Sequence, residues 1–146
     1  RRCEISSFES FLEDVKAAND FLAPFYKKTV LAKHLGIKYD TLVRKMDNYS
    51  LSSDEMLKIL DFYADKIELE KMELMKDLFT DRYKSIEILT TNKLKSLPFS
   101  LSDISKYTSI GYNKIINVVN GRENWGFVYL AKISTFFDYL ATVRNL

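Results

Sequence analysis

With 146 residues, 47% of them hydrophobic and 14% aromatic, the chain can pack a core as one domain or two small ones and is not a disordered polymer. Four glycines and two prolines are too few for the many turns of an all-β fold, so the expected class is all-α with short connections. A single cysteine, Cys3, excludes an internal disulfide framework and fits a reducing compartment, and a net charge of +2 does not by itself point to a polyanion. No run of about eighteen apolar residues is present to span a membrane. A start at Arg1 rather than at methionine suggests a trimmed chain, compatible with a targeting segment upstream.

Phe8, Phe11, Leu12, Val15, Phe21 and Leu22 recur at the spacing of an amphipathic helix over residues 7–21, with Ser6 or Ser7 followed by Glu9 as its cap and Pro24 as its end. Leu31, Ala32 and Leu35 share one face of a short helix that must stop at Gly36, where a left-handed backbone is cheap. Ile37 plugs the turn. A second short helix begins at about Tyr39, with Leu42 and Met46 inward and Lys38, Tyr39, Asp40, Val43, Arg44 and Asp47 outward. The small Ala32 lets the two helices cross closely. Ser52 or Ser53, with Asp54 and Glu55, starts a helix whose Met56, Ile59, Leu60 and Tyr63 face inward.

No breaker follows until Leu89, so residues 67–80 read as a long connecting helix, or as two helices jointed near Thr80 and Asp81. Its stripe of Ile67, Leu69, Met72, Leu74, Met75, Leu78 and Phe79 is expected to be a packing face. Pro98 and Phe99, then Ser102 and Asp103, open another helix; Tyr112 begins one ending at the Asn120 and Gly121 turn; Trp125 is expected to lie as a lid on the core. The last helix, over 129–143, buries Leu130, Ile133, Phe136, Phe137 and Leu140.

Residues 104–121, ISKYTSIGYNKIINVVNG, echo residues 31–48, LAKHLGIKYDTLVRKMDN, at an offset of 73 that maps Ala32 on Ser105, Ile37 on Ile110, Tyr39 on Tyr112 and Leu42 on Ile115. Asp47 and Asn48 fall on Asn120 and Gly121. Beyond the turn the offset becomes 74, pairing Lys58 and Ile59 with Lys132 and Ile133, which implies one residue inserted in the loop. The helix over 7–21 would correspond to the stretch 83–94. Duplication explains such agreement better than chance.

The string GIKYDTLVRKMDN resembles the turn and recognition helix of the lambda-repressor-like helix-turn-helix family, the Cro and repressor-type regulators of phages and mobile elements. In that family a Gly-hydrophobic turn precedes a helix rich in Thr, Arg and Lys, and SSDEMLKILDFY is similar to the helix that comes next. The likeness covers most of 20–64 and 92–140. It departs at Lys45, a usually apolar position, and at Thr108 and Ser109, which replace an apolar residue and a glycine. The resemblance implies an all-α protein of two tandem helix-turn-helix bundles, over 1–66 and 81–146, joined by a helical connector over 67–80. It also implies a sequence-specific binder of double-stranded DNA, a small transcriptional regulator acting sterically, in the cytoplasm as a nucleoid-associated or virus-encoded protein of a bacterial host.

Charge is distributed to match. Residues 25–50 and 91–146 each carry a net +4, whereas 1–24 and 51–90 carry −2 and −4. Lys27, Lys28 and Lys33 are candidates for phosphate contacts that fix register, and Arg44 for a bidentate bond to guanine, with Lys38, Tyr39 and Asp40 at the end of the helix that enters a groove. Gly111, Tyr112, Asn113 and Asn117 take the corresponding places in the second copy, with Lys106, Lys114 and Arg122 as its phosphate group. Because KYDTLVRK and GYNKIINV differ, the expected site is two unlike half-sites rather than a palindrome.

The chief alternative is a protein-interaction adaptor on the same scaffold, or self-association through the second repeat, favoured by Asp40, Asp47, Ile116 and Val119. His34, the lone histidine, has no cluster of metal-ligand partners at suitable spacing, and no nucleophile, phosphate loop or carboxylate pair is visible, so neither a metal site, a cofactor nor catalysis is expected.

Overall fold

A computed structural model describes residues 2–144, with side chains described over 8–143; Arg1 and the side chains of Cys3, Ser6 and Ser7 lie outside the described residues. Every regular element among the described residues is helical: α1 (Arg2–Leu22), α2 (Lys28–Leu35), α3 (Tyr39–Asp47), α4 (Ser53–Phe62), α5 (Leu69–Asp77), α6 (Tyr83–Ser96), α7 (Leu101–Thr108), α8 (Tyr112–Val119) and α9 (Gly126–Arg144). None of these is long and apolar enough to cross a membrane. The chain divides into two compact units. The first is Phe11–Lys84 and the second is Arg1–Ser10 with Ser85–Leu146, so residues 67–80 fall within the first unit.

Several element limits differ from expectation. Helix α1 already includes Ser6 and Ser7 in its interior, so neither stands at its start. Ser100, rather than Ser102, caps α7 by accepting from the Asp103 N–H at 3.1 Å. The unbroken stretch expected after α4 is interrupted: α4 ends at Phe62, a 3₁₀ turn spans Ala64–Lys66, and Ile67 and Glu68 are extended. No Gly or Pro marks this break. It buries Tyr63 and Ile67, which a local breaker rule cannot register. The joint expected near Thr80 and Asp81 is a π-helical turn at Leu78–Arg82, through which α5 runs into α6 without leaving helical geometry. Thr80 Oγ1 donates to the Lys76 carbonyl at 2.7 Å there, and Leu78 and Phe79 stay buried. Of the expected packing stripe, Leu69 and Leu74 instead face solvent, 75% and 69% exposed, while Met72 and Met75 are buried.

In the first unit Phe11, Val15, Leu22, Leu31, Leu42, Leu51, Met56, Ile59 and Leu60 form the core. In the second, Leu94, Ile104, Ile110, Ile115, Trp125, Leu130 and Ile133 do so. Buried positions correspond across the units: Leu31 with Ile104, Leu42 with Ile115, Leu51 with Trp125, Met56 with Leu130 and Ile59 with Ile133. Met46 and Leu140, expected inside, are only half-buried.

In both units a short helix, a three-residue turn and a second short helix are packed together. Gly36 is left-handed at φ 72°, and the turn closes as a Schellman motif, Ile37 N–H donating to the Ala32 carbonyl at 3.0 Å and Gly36 N–H to Lys33 at 3.1 Å. Ser109 takes the same left-handed conformation at φ 61°, with its N–H on the Ser105 carbonyl at 3.0 Å. The buried Thr108 hydroxyl donates to the Ile104 carbonyl at 2.7 Å and accepts from the Ile110 N–H at 3.3 Å, while Ser105 Oγ donates to the Ile110 carbonyl at 2.6 Å. Hydroxyls do at the second turn what backbone alone does at the first.

The Lys45 anomaly has an equally local explanation. Its Nζ lies 2.9 Å from both carboxylate oxygens of Glu55. Glu55 in turn completes a capping box with Ser52 at the start of α4. Val118 is the buried residue at the matching place on α8.

Candidate nucleic-acid interface

The outward side of α2 and α3 carries Lys28, Lys33, Lys38, Tyr39, Asp40 and Arg44, all exposed, and Lys27 is exposed just before α2. Among the described residues no side chain of Lys27, Lys28, Lys33, Lys38 or Arg44 makes a hydrogen bond or ion pair. Asp40 lies in the first turn of α3, where a carboxylate suits the helix dipole, one helical turn from Arg44. Tyr39 is 48% exposed at the amino-terminal end of the same helix. His34 sits on the outer side of α2 with its ring stacked on Phe62 at 4.4 Å. After α3, Tyr49 is left-handed at φ 55°, an unusual state for an aromatic residue, and its hydroxyl donates to Asp20 on α1 at 3.2 Å.

The corresponding surface of the second unit is built differently. Gly111 caps α8, and Tyr112, Asn113 and Arg122 are exposed, as is Lys106 on α7. Lys114 and Asn117 are not open. Lys114 Nζ donates to Glu123 Oε1 at 2.9 Å and to the Asn124 carbonyl at 2.7 Å, and it lies 5.0 Å from the centroid of the Tyr129 ring. Asn117 Nδ2 donates to the other carboxylate oxygen, Glu123 Oε2, at 2.7 Å. These two hydrogen bonds, with the Lys114 charge, hold the Glu123 carboxyl below its ordinary pKa. Ile116 and Val119 are half-buried on α8.

The loop that carries Glu123 is longer than its counterpart. Left-handed Tyr49 precedes buried Leu51 by two positions, whereas left-handed Gly121 precedes buried Trp125 by four. The offset is therefore 72 at the turn and 74 at the buried residue, so Asn120 and Gly121 match Asn48 and Tyr49 rather than Asp47 and Asn48. Between helices the loop grows from 48–52 to 120–125, one residue as expected, and α8 is one residue shorter than α3. Trp125 covers the core as expected, 1% exposed, with its indole N–H on Thr91 Oγ1 at 3.0 Å. Its backbone N–H and that of Gly126 donate to Glu87 on α6 at 2.7 and 3.1 Å, so this carboxylate caps α9. Burial nonetheless raises the Glu87 carboxyl above its ordinary pKa, against those bonds and the charge of Lys114.

Sequence reasoning placed Glu55 at the start of α4 but not as the partner of Lys45, and it passed over Glu87 and Glu123 as partners. For Glu55 a signal was present, a Ser three residues ahead of a Glu. For the other two there was none, because their partners are set by packing. No protein-family model, curated protein or solved structure matches this chain.

Proposed function

We propose that the protein is a sequence-specific double-stranded DNA-binding protein of lambda-repressor-like helix-turn-helix type, in which α2 and α3 form the principal reading motif and α7 and α8 its divergent copy. The observation that carries this reading is the set of five exposed and unpaired cations, Lys27, Lys28, Lys33, Lys38 and Arg44, around one short helix pair. Cations without internal partners retain their full attraction for phosphate, and Arg44 keeps all its donors for a base edge. Lys28 and Lys33 then fix register, while Lys38, Tyr39, Asp40 and Arg44 face bases. In the copy, Gly111, Tyr112, Asn113 and Arg122 are accessible and Lys114 and Asn117 are engaged. The resemblance of residues 36–48 to phage and mobile-element regulators makes steric control of transcription the fitting role.

A second reading, a protein partner or self-association through the second unit, is favoured by the occupied Lys114 and Asn117 beside half-buried Ile116 and Val119. One experiment separates the two. The purified chain is titrated with random-sequence duplex DNA across a salt series, and the bound sequences are selected and read. Steeply salt-dependent binding that enriches two unlike elements supports reading by both units, and enrichment of one element supports reading by the first alone. Absence of binding at low salt would sink the DNA proposal.

A further inference from the structure

We propose that Glu123 is an internal competitor for nucleic-acid phosphate, whose carboxylate must leave Lys114 and Asn117 before the second unit can engage DNA. The inference rests on the reading of α8 as a DNA-facing helix. Its ground is geometric. One carboxylate divides its two oxygens between the two side chains of α8 best suited to a phosphate and a base, at 2.9 and 2.7 Å. A carboxylate binding an ammonium and an amide together presents the same charge and acceptor pattern as a phosphate oxygen pair, so the site is filled by a mimic of its ligand.

Three further features fit a removable occupant. The Glu123 side chain is 41% exposed, so it is already partly hydrated and can swing fully into water. Lys114, 21% exposed, retains the Asn124 carbonyl and the Tyr129 ring face when the carboxylate departs, and so stays in place. The residue also lies within the stretch lengthened relative to the first unit, where Glu55 holds the half-buried Lys45 and, among the described residues, no carboxylate is paired with the outward Lys28, Lys33, Lys38 or Arg44. Charged groups beside the site include Glu87 on α6, which acts on Lys114 electrostatically, and Lys132 on α9, 5.6 Å from the Tyr129 ring centroid. Neither bonds to Glu123. The consequence is an ordered engagement: the open first unit binds without an internal exchange, and the second closes on DNA by trading one anion for another.

The test uses the full chain and random-sequence duplex DNA. Glu123→Gln removes the charge with little change in shape, and Glu123→Ala removes the side chain; circular dichroism checks that each variant is folded. Each should bind more tightly than the parent, with a salt dependence steeper by about one counterion. The advantage should therefore shrink about 3.5-fold between 50 and 200 mM salt. Adding Lys114→Ala to Glu123→Gln should abolish the gain. Unchanged or weaker binding by both Glu123 variants, with the parent binding DNA, would overturn the competitor role and leave the DNA reading intact. If neither the parent nor the variants bind at low salt, both fall. Binding by the variants and not by the parent would support both.

Discussion

The two units place matching core residues in matching helices and yet carry differently built surfaces. In the first, a glycine turn is closed by backbone bonds alone, a lysine at an apolar position is neutralised by the capping Glu55, and the outer cations are unpaired. In the second, the turn is closed by Thr108 and Ser105 hydroxyls, the same core position holds Val118, and a longer loop brings an acid onto the outer face. Buried positions can follow one pattern in both units because each contact is satisfied only by shape. The surface diverges because water tolerates any polar arrangement.

The comparison would break most sharply at the paired positions before α4 and α9. Trp125→Ala should cost about 3–5 kcal/mol and Leu51→Ala about 2–5 kcal/mol in denaturant unfolding, since both side chains are fully buried. A cost under about 1 kcal/mol for either would deny it a core role. Next in size is the functional contrast. Arg44→Ala should lose about 1–3 kcal/mol on a selected DNA site and relax base preference, and Asn117→Ala should lose less, because its amide is already committed to Glu123. Equal losses would erase the asymmetry between α3 and α8.

The turns offer a smaller test. Gly36→Ala should destabilise by about 1–2 kcal/mol through backbone strain, because no atom lies within 4 Å of the position a Cβ would take. Ser109→Gly should move the other way, by up to about 1 kcal/mol once the entropy of glycine is counted. Thermal melting of both variants reads this, and opposite signs are required.

Smallest is the pH response of the two capping acids. Burial pushes Glu55 up, but the Ser52 backbone bond, Lys45 and the Ser52 hydroxyl outweigh it and leave the carboxyl below its ordinary value. Its contribution is therefore whole above the unfolded pKa and lost as pH falls through the lowered folded one. Glu87 has the reverse sign. Its folded pKa is raised, so its contribution is whole below the unfolded value and lost as pH rises through the folded one. Acidifying from neutral should relieve the strain at Glu87 before it harms Glu55. Glu87→Gln should flatten the first effect and Glu55→Gln the second in pH-dependent denaturant midpoints; profiles identical to the parent would contradict both assignments.

The sequence by itself determined the all-helical class, the inward stripes of α2, α3, α4 and α9, the left-handed turn at Gly36 and the correspondence of two segments. Each of these depends on periodicity or on one residue's backbone preference, and both are local. Lys28, Lys33, Lys38, Tyr39, Asp40 and Arg44 could be placed outward for the same reason. Only the tertiary structure decided the break between α4 and α5, the exposure of Leu69 and Leu74, and the fate of Lys114 and Asn117. A helical stripe states which residues share a face but not which neighbour covers it. Partners such as Glu87 and Trp125, 38 positions apart, meet only once the helices are packed. The identity of a surface acid says nothing about which cation it will hold, because exposed ion pairs are weak and chosen by loop geometry.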